Sequence, residues 1–206
     1  MEAEMARFEI LLATAAPLEQ RDINTDQVIP GRFLRRRREE GLADCLFHDL
    51  RFHPDGTERA DFMLNQPAFR EAKILIANEN FGCGSSREFA VFALHDHGIR
   101  CIIAPSFGDI FQNNCFRSGL LPVVLSSGEV ADLRAQATAS PGTRLLVDLP
   151  RQLVIGADGA ARRFEVDPFR KRLLLNGVDE IGFTLGFQAR IAAFEAARET
   201  MGGQRT

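Results

Sequence analysis

Lys73–Leu125 reads KILIANENFGCGSSREFAVFALHDHGIRCIIAPSFGDIFQNNCFRSGLLPVVL, and this stretch decides the fold. Three short apolar runs stand out in it: Lys73 to Asn78, Cys101 to Ala104, and Leu121 to Leu125. Each is apolar almost without alternation, the pattern of a strand buried on both faces. Between the first two, Glu88 to His97 supports a helix with Phe89, Phe92 and Ala93 on one face and Gly98 as its stop. A second helix runs from about Gly108 to Arg117 and ends at Gly119. Strand, helix, strand, helix, strand in that order predicts a parallel sheet covered by helices.

Working outward, Phe8 to Thr14 reads as a first strand running to Pro17, and Arg21 to Asp26 as a polar turn. Residues 49 to 67, with Pro54, Asp55-Gly56 and Pro67, read as loop. Downstream, Glu129 to Thr138 is helical. Leu145 to Leu149 and Leu153 to Val166 read as strands, with Asp158-Gly159 at a hairpin tip. Ile191 to Thr200 makes a closing helix before a frayed tail. No repeat, low-complexity tract or linker divides the chain, so residues 1–206 are expected to form one mixed α/β domain.

The 206 residues are enough to bury roughly 70% of the unfolded surface without a disulfide or metal staple. A net charge of -3 argues against a nucleic-acid binder, and no apolar run approaches the ~18 residues of a membrane span. Ile10 to Ala16 is apolar, but Glu2, Glu4 and Glu9 outweigh Arg7 around it, so it does not read as a secretory signal. We expect a cytoplasmic protein. Cys45, Cys83, Cys101 and Cys115 include no closely spaced pair, which predicts reduced thiols and no metal site of the chain's own. The run Arg35-Arg36-Arg37-Arg38 reads mainly as a solvated face, with one or two members available to guide an acid.

The segment that carries chemistry is Asn80-Phe81-Gly82-Cys83-Gly84-Ser85-Ser86-Arg87-Glu88, set between a strand and a helix. Glycines let the backbone come close to a ligand, and the amides of Gly82 and Gly84, with the open N–H groups of the helix start, favour negative charge. Ser85, Ser86 and Arg87 there can hold a carboxylate, with the guanidinium gripping two oxygens at once. A phosphate loop would need a lysine that is absent, and a nucleophile elbow would need a different spacing. A plain capped turn stays open beside the acid site, because Ser85 and Glu88 have the spacing of a capping box.

Phe81-Gly82-Cys83-Gly84-Ser85-Ser86-Arg87-Glu88 is similar to the serine loop of the aconitase superfamily's swivelling domain. Asn24-Thr25-Asp26-Gln27-Val28-Ile29-Pro30 with Phe33-Leu34, Ile103 to Phe111, Asn114, Gly119 to Val123, and Asn176-Gly177 through Leu185 extend the likeness from about Leu12 to Ala196. They resemble most closely one branch, the small subunits of 3-isopropylmalate dehydratases. That resemblance implies a three-layer β/β/α swivelling domain, with a central mostly parallel sheet and a second antiparallel sheet. It implies docking on a large subunit that carries a [4Fe–4S] cluster, with no cofactor in this chain. The reaction would interconvert 2- and 3-isopropylmalate through isopropylmaleate, in leucine biosynthesis. Ser85 would be the base, Ser86 and Arg87 would bind carboxylate, and Phe33, Leu34 and Arg35 would meet the substrate's substituent.

Three departures stand out: Phe89 where the family usually has His, Asn24 for the first Asp of its Asp-Thr-Asp, and Arg38-Glu39-Glu40-Gly41-Leu42 for a Thr-Arg-Thr-Gly-Phe stretch. They keep two alternatives in play. One is a paralogous hydratase for methylmalate, dimethylmalate or homocitrate-type acids; the other is a non-catalytic acid-binding module.

Overall fold

The computed structural model describes residues 6–202. β1 (Ile10–Pro17) is the strand on which the architecture turns. Its end, Ala15–Pro17, runs parallel to β2 (Ile74–Ile76), while Ile10–Thr14 runs antiparallel to a strand from the far end of the chain. Beyond β2 lie β3 (Cys101–Ala104) and β4 (Leu121–Val124), both parallel. On the other side come β5 (Arg144–Asp148), β6 (Leu153–Ile155) and β7 (Ala161–Arg163), each antiparallel to its neighbour. The result is one mixed seven-stranded sheet in the order β4-β3-β2-β1-β5-β6-β7. The parallel and antiparallel sheets expected from the sequence are thus two halves joined through β1.

The three central apolar runs are buried on both faces because helices cover both. The short helices α1 (Thr25–Val28) and α2 (His48–Arg51) precede α3 (Glu88–His97) and α4 (Asp109–Arg117). Leu75, Ile102 and Ala104 meet Ala90, Val91 and Leu94 of α3 and Phe111 and Cys115 of α4 on one side. The alternate residues, Ile74, Ile76, Cys101, Ile103, Leu121 and Val123, meet Val130, Leu133 and Ala137 of α5 (Ser127–Ala139) on the other. Alternation of side chains across a strand explains how a run without polar positions feeds two cores.

The helix limits expected for α3 are observed, and α4 begins one residue after Gly108. The Asp158-Gly159 tip joins β6 to β7, with Arg162 held to Asp158 at 2.8 Å and Gly159 in the left-handed region. The long strand reading of Leu153 to Val166 is shortened to two strands of three residues around that tip. The longest of the helices that escaped the sequence reading is α6 (Pro168–Asn176). Asp167 accepts bonds from the Phe169 and Arg170 amides at 3.0 Å, Pro168 takes the first turn, and Gly177 ends it. α7 (Glu180–Leu185) and α8 (Gln188–Gly202) follow, so the closing helix starts earlier than expected. Residues 49–67 are tied down by buried polar groups: Asn65 Nδ2 donates to the carbonyls of Arg51 and Arg59, and Arg51 Nε donates to Asn65 Oδ1.

The basic run is largely the solvated face expected, with Arg35, Arg37 and Arg38 exposed and Arg36 half-buried, and two of its members also make ion pairs. Arg36 pairs with Asp44 at 2.7 Å, and Arg38 forks onto Asp96 while lying over the Phe92 ring. Arg35 and Arg37 have no such partner among the described residues.

Candidate active site

The loop from Asn78 to Arg87 leaves β2 and enters α3 through three left-handed residues, Asn80, Gly82 and Gly84. Asn80 tolerates this conformation and ties its side-chain amide to Asp22 at 2.8 Å. Gly82 has a second requirement. A Cβ on it would lie 2.2 Å from the Phe111 ring, so the loop rests directly on an aromatic face that no side chain permits. Phe111 packs edge-on against Phe81, which in turn meets Phe107.

The segment around α1 buttresses this loop from the other side. Gly82 N–H donates to the Ile23 carbonyl at 2.7 Å, and Thr25 N–H donates to the Cys83 carbonyl at 3.0 Å. The buried Thr25 hydroxyl donates to the Ser85 carbonyl at 2.8 Å. The polar turn of the sequence is therefore a capped helical start, in which Asn24 and Gln27 exchange the two bonds of a capping box. Asp26 projects from it and pairs with Arg87 through Nη1. Nε and Nη2 of Arg87 have no partner among the described residues. The role of Asp26 was not read from the sequence, although its place two residues after a capping Asn was a usable signal.

Ser85 and Ser86 are exposed, and their hydroxyls bond to no group of the described residues. The capping-box reading of Ser85 fails: α3 takes Arg87 as its N-cap, two residues later, with no side-chain cap bond. The amides of Gly84, Ser85 and Ser86 donate to nothing among the described residues, whereas that of Gly82 is spent on Ile23. Gly82 thus shapes the loop, and Gly84 and its successors carry the open N–H groups.

Beside the loop lies a cleft of about 520 Å³ lined by Ser86, Arg87, Leu34 and Phe89, with Ile110, Asn114 and Arg117 from α4 across it. Of the three residues of the N-terminal loop expected to face a substituent, Leu34 lines this cleft. Phe33 does not; it packs against the His48 ring at 4.9 Å and under Arg32. Arg35 is exposed and does not line it either. Phe89 is half-buried against Phe92, 6.0 Å between ring centroids, which fits an aromatic on the packed side of α3.

No group of three or more His, Cys, Asp or Glu residues among those described is placed to hold a metal ion. All four cysteines are free thiols, Cys83 half-exposed in the loop and the others buried. Burial pushes the thiols of Cys101 and Cys115 well above their ordinary range, which makes them poor ligands and poor nucleophiles.

Residues 5–128 match the family model of the aconitase C-terminal domain, and residues 131–168 match that of the LeuD N-terminal segment. The small subunit of 3-isopropylmalate dehydratase from Paramagnetospirillum magneticum is 51% identical over 95% of this chain and 98% of its own length. The corresponding protein of Gluconacetobacter diazotrophicus is 53% identical over 95% and 94%. The chain belongs to the family of 3-isopropylmalate dehydratase small subunits. A crystal structure of a family member, the 3-isopropylmalate dehydratase LeuD of Methanocaldococcus jannaschii, matches with a TM-score of 0.66 and 26% identity, over 90% of this chain and 99% of that one. Family membership covers both halves of the sheet, since the first model ends at the start of α5 and the second runs from within it through β5, β6 and β7 to the start of α6. Among the described residues, no helix is long and apolar enough to cross a membrane.

Proposed function

We propose that this chain is the small subunit of a 3-isopropylmalate dehydratase, a hydro-lyase that interconverts 2- and 3-isopropylmalate through isopropylmaleate in leucine biosynthesis. The observation that carries the proposal is the Ser85-Ser86-Arg87 corner, with two exposed hydroxyls beside a guanidinium that is anchored at one nitrogen and open at two. Ser85 is the base, taking the carbon-bound proton as an alkoxide. An alkoxide is a poor species in water, and the unspent amides of Gly84 and Ser86 supply the donors it requires. One such preorganised donor is typically worth about 3 kcal/mol. Arg87 grips a carboxylate of the acid and steadies the charge that flows into it when the proton leaves. Ser86 adds a hydroxyl to the same carboxylate. Asp26 orients Arg87 through Nη1 and leaves Nε and Nη2 for the acid.

Among the described residues, no group of three or more His, Cys, Asp or Glu is placed to hold a metal ion or cluster. We place a [4Fe–4S] cluster on the large subunit, where a bound iron would supply Lewis acidity toward the leaving hydroxyl. Leu34, and not Arg35, lines the cleft, which favours an alkyl substituent over a third carboxylate and so isopropylmalate over homocitrate-type acids. The unspent catalytic groups likewise favour an enzyme over a non-catalytic acid-binding module. We assign the chain one swivelling-type domain and a place in the cytoplasm, in keeping with its free thiols.

The test is hydration of isopropylmaleate by this chain, by the cognate large subunit, and by the two together. Activity is expected only in the mixture. Full turnover by the lone chain, or none by a cluster-loaded mixture, would overturn the proposal.

A further inference from the structure

We infer that α4 supplies a second carboxylate clamp, Asn114 with Arg117, which holds the end of a dicarboxylate opposite the one gripped at Arg87. The inference deepens the function proposed above and rests on its reading of the cleft as the site of an acid substrate.

Ile110, Asn114 and Arg117 fall at helical spacing on one face of α4, and that face lines two adjoining clefts. The first, of about 520 Å³, also contains Ser86 and Arg87; the second, of about 310 Å³, continues past α4 toward α6. Asn114 is 5% exposed, and its amide nitrogen meets no acceptor among the described residues. A buried N–H donor without a partner is rare in folded proteins, and a ligand oxygen is one of the few things that resolve it. Arg117 is exposed and has no ion pair or hydrogen bond among the described residues. Arg170, which shares the second cleft with it, differs, being held by Asn113 and lying over the Phe116 ring.

A diacid carries two anionic ends, and this groove offers two guanidinium groups with open nitrogens. An amide N–H beside a guanidinium suits a carboxylate, the guanidinium donating to two oxygens in plane and the amide adding a third bond. Glu88 lines the first cleft and Glu180 the second. Their charge opposes an anion, and the guanidinium and amide donors of the Asn114–Arg117 face offset it.

The test is binding calorimetry on the assembled two-subunit enzyme with 2-isopropylsuccinate, a diacid that carries no hydroxyl to eliminate, and with each of its two monoamides. Arg117→Gln should weaken the diacid at least tenfold. One monoamide should lose affinity by the same factor, and the other, lacking the carboxylate seated at Arg117, should bind both enzymes alike. Asn114→Asp should weaken the diacid further through like charge; if it fails to fold, Arg117→Gln still decides, since that side chain is exposed. Equal diacid affinity in Arg117→Gln and wild type would overturn the clamp. So would separation of the subunits in Arg117→Gln by sedimentation, which would make the groove a docking surface. A wild-type enzyme that binds isopropylsuccinate but does not hydrate isopropylmaleate would sink the proposed reaction and leave the clamp standing.

Discussion

Replacing Gly82 with alanine is the sharpest probe of the serine loop, because two separable penalties meet there. The first is conformational: φ is 74°, and a left-handed residue with a Cβ costs about 1–2 kcal/mol. The second is steric. The new Cβ would sit 2.2 to 2.7 Å from three atoms of the Phe111 ring, which is itself buried and packed on Phe81. Moving a locked core ring adds about 1–3 kcal/mol. Gly84 provides the control, with a φ of 87° and its nearest neighbour, the Asn24 Cβ, at an ordinary 3.5 Å. Gly84→Ala should therefore cost only the first penalty, about 1–2 kcal/mol, and Gly82→Ala about 2–5 kcal/mol. Urea unfolding followed by circular dichroism measures both. Combining Gly82→Ala with Phe111→Leu should recover part of the steric penalty, seen as a favourable coupling in a double-mutant cycle. Equal losses for the two glycines, or no coupling with Phe111, would refute the claim that the loop rests on that ring.

Ser85→Ala should lower kcat about 10²–10⁴-fold with KM nearly unchanged, as measured in the assembled enzyme, because a general base acts in the transition state. Arg87→Lys should instead raise KM tenfold or more, since a point charge cannot replace the fork; similar kinetic profiles for the two variants would contradict the division of roles. Leu34→Ala should reduce kcat/KM for isopropylmalate relative to methylmalate by about 1–3 kcal/mol per lost methyl contact, and Arg35→Ala should leave that ratio alone; the reverse pattern would restore the homocitrate-type reading. For pH, burial is the main cause that holds His97 below its ordinary value, helped by the Arg51 charge and opposed by a hydrogen bond to Ala43. Burial favours the neutral form of such a histidine in the folded chain, so its full contribution to stability is present above the ordinary histidine value of about 6.5. That contribution declines as pH falls through the unfolded value and levels off below the folded one. His95, lowered mainly by burial and then by Arg100, acts in the same direction. The urea midpoint should fall between pH 7 and 5.5, and less steeply in His97→Asn. Carboxylates such as Asp158, held at about 2 by Arg162, respond only at lower pH. An unchanged slope in His97→Asn would refute the assignment.

The parts of this molecule that the sequence discloses are those in which local and tertiary signals agree. The parallel strands are legible because each is a buried run between a turn and a helix with a glycine stop, as at Gly98 and Gly119. α6 was missed although Asp167-Pro168 and Gly177 punctuate it, because its interior, Phe169 to Asn176, mixes charges with leucines and has no clean apolar stripe. The joining of the two sheet halves through β1 is not legible at all, since the pairing of Leu12 with Leu146 leaves no trace in either segment alone. At the site, Ser85, Ser86 and Arg87 are adjacent in sequence and announce themselves. Leu34 and the pair Asn114 and Arg117 of α4 reach the same cleft from two distant places in the chain, and only tertiary folding brings them to the serine loop. Phe33 and Arg35 illustrate the converse. They flank Leu34 in sequence, but in the short 3₁₀ turn of Gly31–Arg35 successive side chains diverge, and only one of the three reaches the cleft.

The position of β1 also sets an order of events for a chain that folds as it is made. The parallel partner of its second half, β2, emerges early, but the partner of Ile10–Thr14 is β5, which does not exist until Asp148 has been synthesised. Until then the first half of β1 has an unpaired edge, with Ile10 and Leu12, which remain 61% and 49% exposed even in the finished fold. Pairings between such distant residues are slow to form, and an apolar unpaired edge recruits other chains in the meantime. Synthesis of this protein therefore passes through a long interval of aggregation risk. A ribosome stalled before β5 should yield a chain with the parallel half formed and its first strand still open to capture by a chaperone.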